Sequence, residues 1–198
     1  MRYVIALIAI IALSANLVSA GEKLPDTSDP TSITASRSTL DGTFDENSPV
    51  YERCFGNGIS YDCANPMSDS STTDNFFAMF CFQATSTDFI EIMVDAATTE
   101  LHDTTLTIYC DPFDFGNPLD NVLTYDDDGG DGLLSAFLLT DEISLTPGQN
   151  YFLVLSNFGS GDPDDMGAFS IMLGDNLIAC GTVANDDVSW DSLKANFR

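Results

Sequence analysis

The sequence predicts an all-β protein, an antiparallel β-sandwich of eight or nine strands. Three observations carry that expectation. Apolar and polar residues alternate with period two in a succession of short runs from Asn75 onward, and turn-forming residues separate those runs about every 8 to 15 positions. Beyond the N-terminal apolar run, no stretch sustains the 3.6-residue periodicity of an amphipathic helix.

The N-terminus reads as an export signal. Arg2 precedes an apolar run from Tyr3 to Leu13, and Val18, Ser19 and Ala20 supply the small residues of a cleavage site, so residues 1–20 are expected to be removed. The run is shorter than the roughly 20 apolar residues a membrane span requires. No second such run follows, and the mature chain is expected to lack a transmembrane segment and to be secreted, whether extracellular, periplasmic or on the cell surface. Residues 21–40 are rich in Ser, Thr, Pro and Asp and bury too little apolar area to offset their own ordering, which predicts a flexible lead-in. The sandwich is then expected over 41–183, with a tail at 184–198 whose Trp190, Leu193 and Phe197 have the spacing of a short amphipathic helix.

Within the sandwich, Met67–Thr73 reads as a loop and Phe76–Ala84, apolar on both faces, as a central strand. In Phe89–Asp95 the residues Ile90, Ile92 and Val94 share one face. Thr105–Cys110 alternates, with Leu106, Ile108 and Cys110 predicted inward and Thr105, Thr107 and Tyr109 outward. A short strand over Asn121–Tyr125 enters an acidic, glycine-rich loop, and Leu133–Leu139 leaves it. Pro147-Gly148 is turn chemistry, since proline presets φ and glycine accepts a positive one. Tyr151–Phe158 is the strongest strand; a second acidic turn, GSGDPDDMG, leads to a strand with Phe169, Ile171 and Leu173 inward, and Leu177–Val183 supplies an edge.

Charge narrows the function. Thirty-one acidic residues face six basic ones, a formal net charge of −25. Nucleic acid and anionic membrane are excluded as partners, because both require a basic footprint. Most of the acids are Asp, a residue suited to turns and to coordinating Ca²⁺ through compact carboxylate oxygens. Solvated acidic turns are the competing explanation. Five cysteines in an exported chain predict two disulfides and one remaining thiol. The turn-rich segment FGNGISYD makes Cys54 and Cys63 the favoured local pair, with Cys81, Cys110 and Cys180 left open. One histidine and no C-x-x-C pair exclude a zinc site of the usual spacing.

Two acidic turns are the candidate metal ligands. Asp126, Asp127, Asp128 and Asp131 lie in the first, and Asp162, Asp164 and Asp165 in the second; meeting at one end of a sandwich they would supply the six to eight oxygens that Ca²⁺ takes. The first turn is no EF-hand, because the twelfth residue from Asp126 or Asp127 is Phe137 or Leu138 where a bidentate Glu is needed. Catalysis finds less support. His102-Asp103 has no G-x-S-x-G nucleophile to serve, and Asp103-Thr104-Thr105 lacks the glycine of an aspartic-protease signature. Tyr51, Tyr61, Tyr109 and Tyr125, placed at strand ends or outward positions, and Trp190 near the terminus are candidate contact aromatics.

The succession LTIYC, YDDDGGDG, an apolar run, LTPG, YFLVLSNF, an acidic turn and GAFSIML resembles the bacterial pre-peptidase C-terminal domain over about half the chain. Asp41-Gly42-Thr43-Phe44 and the Phe76–Ala84 strand resemble its opening. That resemblance implies a jelly-roll-like β-sandwich acting as a noncatalytic exported module, sometimes calcium-stabilised. The cysteines and the extra acidic residues depart from the family's core pattern, and the domain is expected to stand alone. The expected function is binding or adhesion to an extracellular or cell-surface protein or polysaccharide. The alternatives are a structural or export appendage for a partner protein and a small secreted hydrolase.

Overall fold

Side-chain alternation sorts the strands into two antiparallel sheets packed face to face. The computed structural model describes residues 37–54, 63, 70–114, 116–159 and 165–180. The described residues all belong to the unit that runs from Ala35 onward. They form β1 (Thr39–Phe44), β2 (Val50–Cys54), β3 (Ser70–Ala84), β4 (Ile92–Val94), β5 (Thr104–Cys110), β6 (Val122–Asp126), β7 (Ala136–Phe137), β8 (Asn150–Asn157), β9 (Gly167–Leu173) and β10 (Leu177–Ala179), with one 3-10 turn at Leu139–Asp141 and no α-helix among them. The smaller sheet has the order β1-β9-β4-β7, and the larger one β10-β3-β8-β5-β6 with β2 added to β3. The expected all-β sandwich is the architecture found. The export signal, the lead-in to residue 36 and the tail with Trp190 lie outside the described residues.

The main core lies between the sheets. Leu40, Phe44, Ile92, Val94, Phe137, Phe169, Ile171 and Leu173 from the smaller sheet meet Ala78, Phe82, Leu106, Ile108, Leu123, Leu153 and Leu155 from the larger. Leu106, Ile108 and Cys110 point inward as the alternation predicts. Their neighbours Thr105, Thr107 and Tyr109 do take the other face, yet that face is not solvent: every residue of β5 is buried. The cover is β2, together with the segment after β5. Tyr51 and Cys54 of β2, Phe77 of β3 and Phe113 form a second, smaller core with Tyr109, Val122 and Val154. Tyr51 and Phe77 lie 4.6 Å apart, as do Tyr109 and Phe113, between ring centroids.

β3 makes that cover possible, because it is long enough to join two pairings. Its first part pairs with β2 (Val50↔Phe76, Tyr51↔Asn75), and its second part pairs with β8 from Phe77↔Ser156 to Gln83↔Asn150. The strand starts at Ser70, inside the stretch expected as a loop, because pairing with β2 satisfies its backbone despite the Ser and Thr content. β2 itself gave no strand signal in the sequence. Of the expected strand Leu133–Leu139 only Ala136–Phe137 is strand. The Pro147-Gly148 turn is as expected, with φ +75° at Gly148.

The cysteine pairing differs from the local one expected. Cys63 bonds Cys110, Cys81 bonds Cys180, and Cys54 is a buried free thiol. The reason is facial. Cys110 and Cys63 belong to the main core, whereas Cys54 lies on the opposite face of β5, with its Sγ 3.4 Å from Thr107 Oγ1 and 3.6 Å from the Tyr109 hydroxyl. Burial pushes the Cys54 thiol above its ordinary pKa, which keeps it an unreactive, neutral group. Tyr51 and Tyr109, expected outward, are buried at 4% and 0% exposure, so they offer no contact surface; Tyr125 is half-buried and Tyr61 lies outside the described residues.

The interior position of Phe82 yields a direct test of this packing. Phe82→Ala should cost about 3–5 kcal/mol in urea unfolding, whereas Thr43→Ala on the exposed side of β1 should stay within about 0.5 kcal/mol. Similar losses for both would contradict the assigned core.

Candidate acidic site at one end of the sandwich

The site is built where β5 begins and β6 ends. These strands pair antiparallel with Leu106↔Asp126 and Thr107↔Tyr125 in register. Side chains on adjacent residues point to opposite faces, so Asp126 turns to the main core and Asp127 to the face of Tyr125 and Thr105. Asp103, two residues before Thr105, takes the same face from the neighbouring strand. Asp103, Asp127 and Asp128 thereby offer one carboxylate oxygen each, all within 4.8 Å of one another. Asp103 and Asp127 are half-buried and Asp128 is exposed.

Asp126 does structural work on the other face. Its Oδ2 accepts hydrogen bonds from the backbone N–H groups of Gly129 (2.9 Å) and Ala136 (2.9 Å). A β-carbon at residue 129 would strike the Asp126 carboxylate, which is why the loop requires glycine there. The returning chain is pinned again at Ser135, whose N–H donates to Thr104 Oγ1 (3.0 Å) and whose hydroxyl donates to Thr104 O (2.6 Å). The acidic loop therefore crosses from the larger sheet to the smaller as a defined turn. Burial raises the Asp126 pKa above the ordinary range, and the two N–H donors oppose that rise.

The second acidic turn reaches the same end. Phe158 N–H donates to Asp103 O (3.2 Å), and Asp165, only 6% exposed, accepts at Oδ2 from Asn157 Nδ2 (3.1 Å). Its charge is felt at Asp103, although its oxygens are not among the clustered three. Asp131 is exposed and outside the cluster. Asp162 and Asp164 lie outside the described residues. Of the candidate ligands expected from sequence, the structure thus brings together Asp127 and Asp128, places Asp165 nearby and uses Asp126 as a cap, and it sets Asp103 beside the pair.

Electrostatics at the cluster are unfavourable to three free carboxylates. Burial, then the charge of Asp128, pushes the Asp127 carboxyl up to about 6, and burial with Asp128 also raises Asp103. The charge of His102, then that of Arg53, opposes the rise at Asp103, and Arg53 opposes it at Asp127. This guanidinium is 2% exposed; it donates from Nη1 to the Tyr125 hydroxyl (3.1 Å) and Cys54 O (3.3 Å), donates from Nη2 to Phe158 O (3.3 Å), and stacks 4.5 Å from the Phe158 ring centroid. Even so, Asp103 Oδ1 and Asp127 Oδ1 are buried without a hydrogen-bond donor among the described residues. Buried acceptors of that kind are rare in a finished fold. His102 is exposed and makes no hydrogen bond or ion pair among the described residues.

Compared with known protein families, curated proteins and solved structures, the chain matches none.

The raised carboxyls have a definite pH consequence in the metal-free protein. A folded-state pKa above the unfolded value of roughly 4 means that the folded chain holds a proton the unfolded chain releases, so this contribution to stability is lost as pH rises from about 4 through about 6. Asp127→Asn should remove up to about 1 kcal/mol of that decline, a figure already reduced for solvent screening of a half-exposed group. Urea unfolding at a series of pH values in EDTA reads the slope, and an identical slope in the variant would contradict the arrangement. Asp126→Ala should instead lower stability by about 1–2 kcal/mol at neutral pH through loss of its two backbone bonds.

Proposed function

We propose that the chain is an exported, noncatalytic binding or adhesion module of pre-peptidase C-terminal type, with a calcium ion holding Asp103, Asp127 and Asp128 together at one end of the sandwich. The observation that carries this reading is the pair of buried, donorless oxygens, Asp103 Oδ1 and Asp127 Oδ1, inside a group of three carboxylates. Such a donor set is all oxygen, the chemistry of hard divalent cations. Three side chains do not fill a Ca²⁺ sphere by themselves; water and backbone carbonyls complete such sites, and carboxylates can bind in bidentate fashion. Mg²⁺ suits the cluster less well, because it demands a near-ideal octahedron and gives up its water reluctantly.

The resemblance supports the module reading, and the segments that carry it become β5, β6, the acidic loop, β8 and β9 of one sandwich. With a formal charge of −25, the partner is an extracellular protein or polysaccharide met through basic groups or through a shared cation. His102, the residue a hydrolase would use, is exposed beside Asp103.

Thermal melts in EDTA and in millimolar Ca²⁺ or Mg²⁺ at constant ionic strength test the site. Ca²⁺ at a hundredfold excess over its dissociation constant should add about 2.7 kcal/mol of stability. Asp103→Asn and Asp127→Asn should each abolish most of that gain, whereas Asp131→Asn should keep it. Equal effects of the two ions, no effect of either, or a gain that survives Asp103→Asn would overturn the assignment.

A further inference from the structure

The two disulfides occupy unlike places. Cys110 lies within β5, a strand buried throughout, and is 3% exposed; its partner Cys63 packs against the main core. Cys63 is itself half-exposed, as are both Cys81 and Cys180, so Cys110 is the one buried member of the two bridges. They stand opposite each other where β10 meets β3, with Cys180 N–H donating to Cys81 O (2.9 Å).

β10 depends on that bridge. It has three residues, pairs with β3 alone, and leaves the side chains of Ile178 and Ala179 exposed. Its base is held independently: Asn176 O accepts from Thr85 N–H (2.8 Å) and Thr85 Oγ1 (3.1 Å), Asn176 Nδ2 donates to Asp88 O (3.1 Å), and Leu177 is 2% exposed. Among the described residues, the strand beyond Leu177 is held by its ladder bonds, the disulfide and a 3.7 Å contact of Cys180 Sγ with Asn150 Oδ1. If the bridge opens, Asn176 is the fixed point and Ile178–Cys180 the part that leaves, which uncovers the backbone edge of β3 at Phe82 and Gln83.

We propose that Cys81–Cys180 is an exchangeable latch, opened by a dithiol reductant to free the end of β10 and expose the edge of β3, while the sandwich and the Cys63–Cys110 bridge stay intact. A dithiol thiolate attacks one sulfur of the latch, the Cys81–Cys180 bond breaks, and a mixed disulfide forms. The second thiol of the reductant then displaces the remaining cysteine. Two electrons pass to the protein, Cys81 and Cys180 end as thiols, and the reductant ends as its own cyclic disulfide. Attack requires access to sulfur; both cysteines of the latch are half-exposed, whereas in the other bridge Cys110 is only 3% exposed within β5.

The test is a dithiothreitol titration of the native chain, with alkylation of the released thiols, peptide mass mapping and amide exchange. Cys81 and Cys180 should be alkylated at a reductant concentration on the order of tenfold lower than Cys63 and Cys110. Cys54, at the end of β2 and buried in the second core, is the internal reporter of global opening and should stay unlabelled in that range. Exchange should quicken at residues 82–83 and 178–180, and residues 104–110 and 151–157 should stay protected. The double substitution Cys81→Ser with Cys180→Ser should give the same exchange pattern without reductant. Earlier labelling of Cys63 and Cys110, labelling of all five cysteines together, or unchanged exchange at β10 in the reduced native chain would overturn the latch.

Discussion

Burial of β5 on both faces is the constraint on which the rest of the structure depends. One face carries Leu106, Ile108 and Cys110 into the main core, a simple apolar contact. The other carries Thr105, Thr107 and Tyr109, whose hydroxyls lose water once β2 lies over them and must find partners. Each does. Thr105 Oγ1 lies 2.6 Å from Ser156 Oγ, Thr107 Oγ1 lies 3.4 Å from Cys54 Sγ, and the Tyr109 hydroxyl donates to Pro118 O at 2.9 Å. These bonds fix where β2 and the segment after β5 sit, and β2 in turn carries Arg53 to the acidic end.

The same layering explains which parts of the fold were legible. Two-residue alternation in Thr105–Cys110 gave the inward set correctly, because alternation is a local property. It gave no notice of a third layer, since Thr and Tyr look the same in sequence whether they meet water or a covering strand. β2 was illegible for a related reason: VYERC places charged Glu52 and Arg53 beside two buried apolar residues, and only the contact with the larger sheet makes a strand of it. The local cysteine pair failed on facial grounds, because chain proximity says nothing about which side of β5 a sulfur occupies.

The acidic site shows the same limit. An Asp- and Gly-rich loop announces a turn with carboxylates, and that much came directly from composition. The division of labour within it did not. Asp126 and Asp127 are neighbours in sequence, yet one caps Gly129 and Ala136 while the other faces Asp103 across the β5–β6 pairing. Asp103 gave one usable signal, its position two residues before the first outward threonine of an alternating strand. Combined with the β5–β6 pairing, that spacing places it beside Asp127.

The covalent link between β10 and β3 also sets a load path. Tension applied to the chain beyond Cys180 does not peel β10 residue by residue, because the bridge transfers the force to Cys81, three residues from the end of the 15-residue β3. β3 lies against β8 in an antiparallel ladder from Phe77 to Gln83, so much of the pull is borne by many hydrogen bonds sharing it in shear. A three-residue edge strand is thereby relieved of mechanical work by two sulfur atoms.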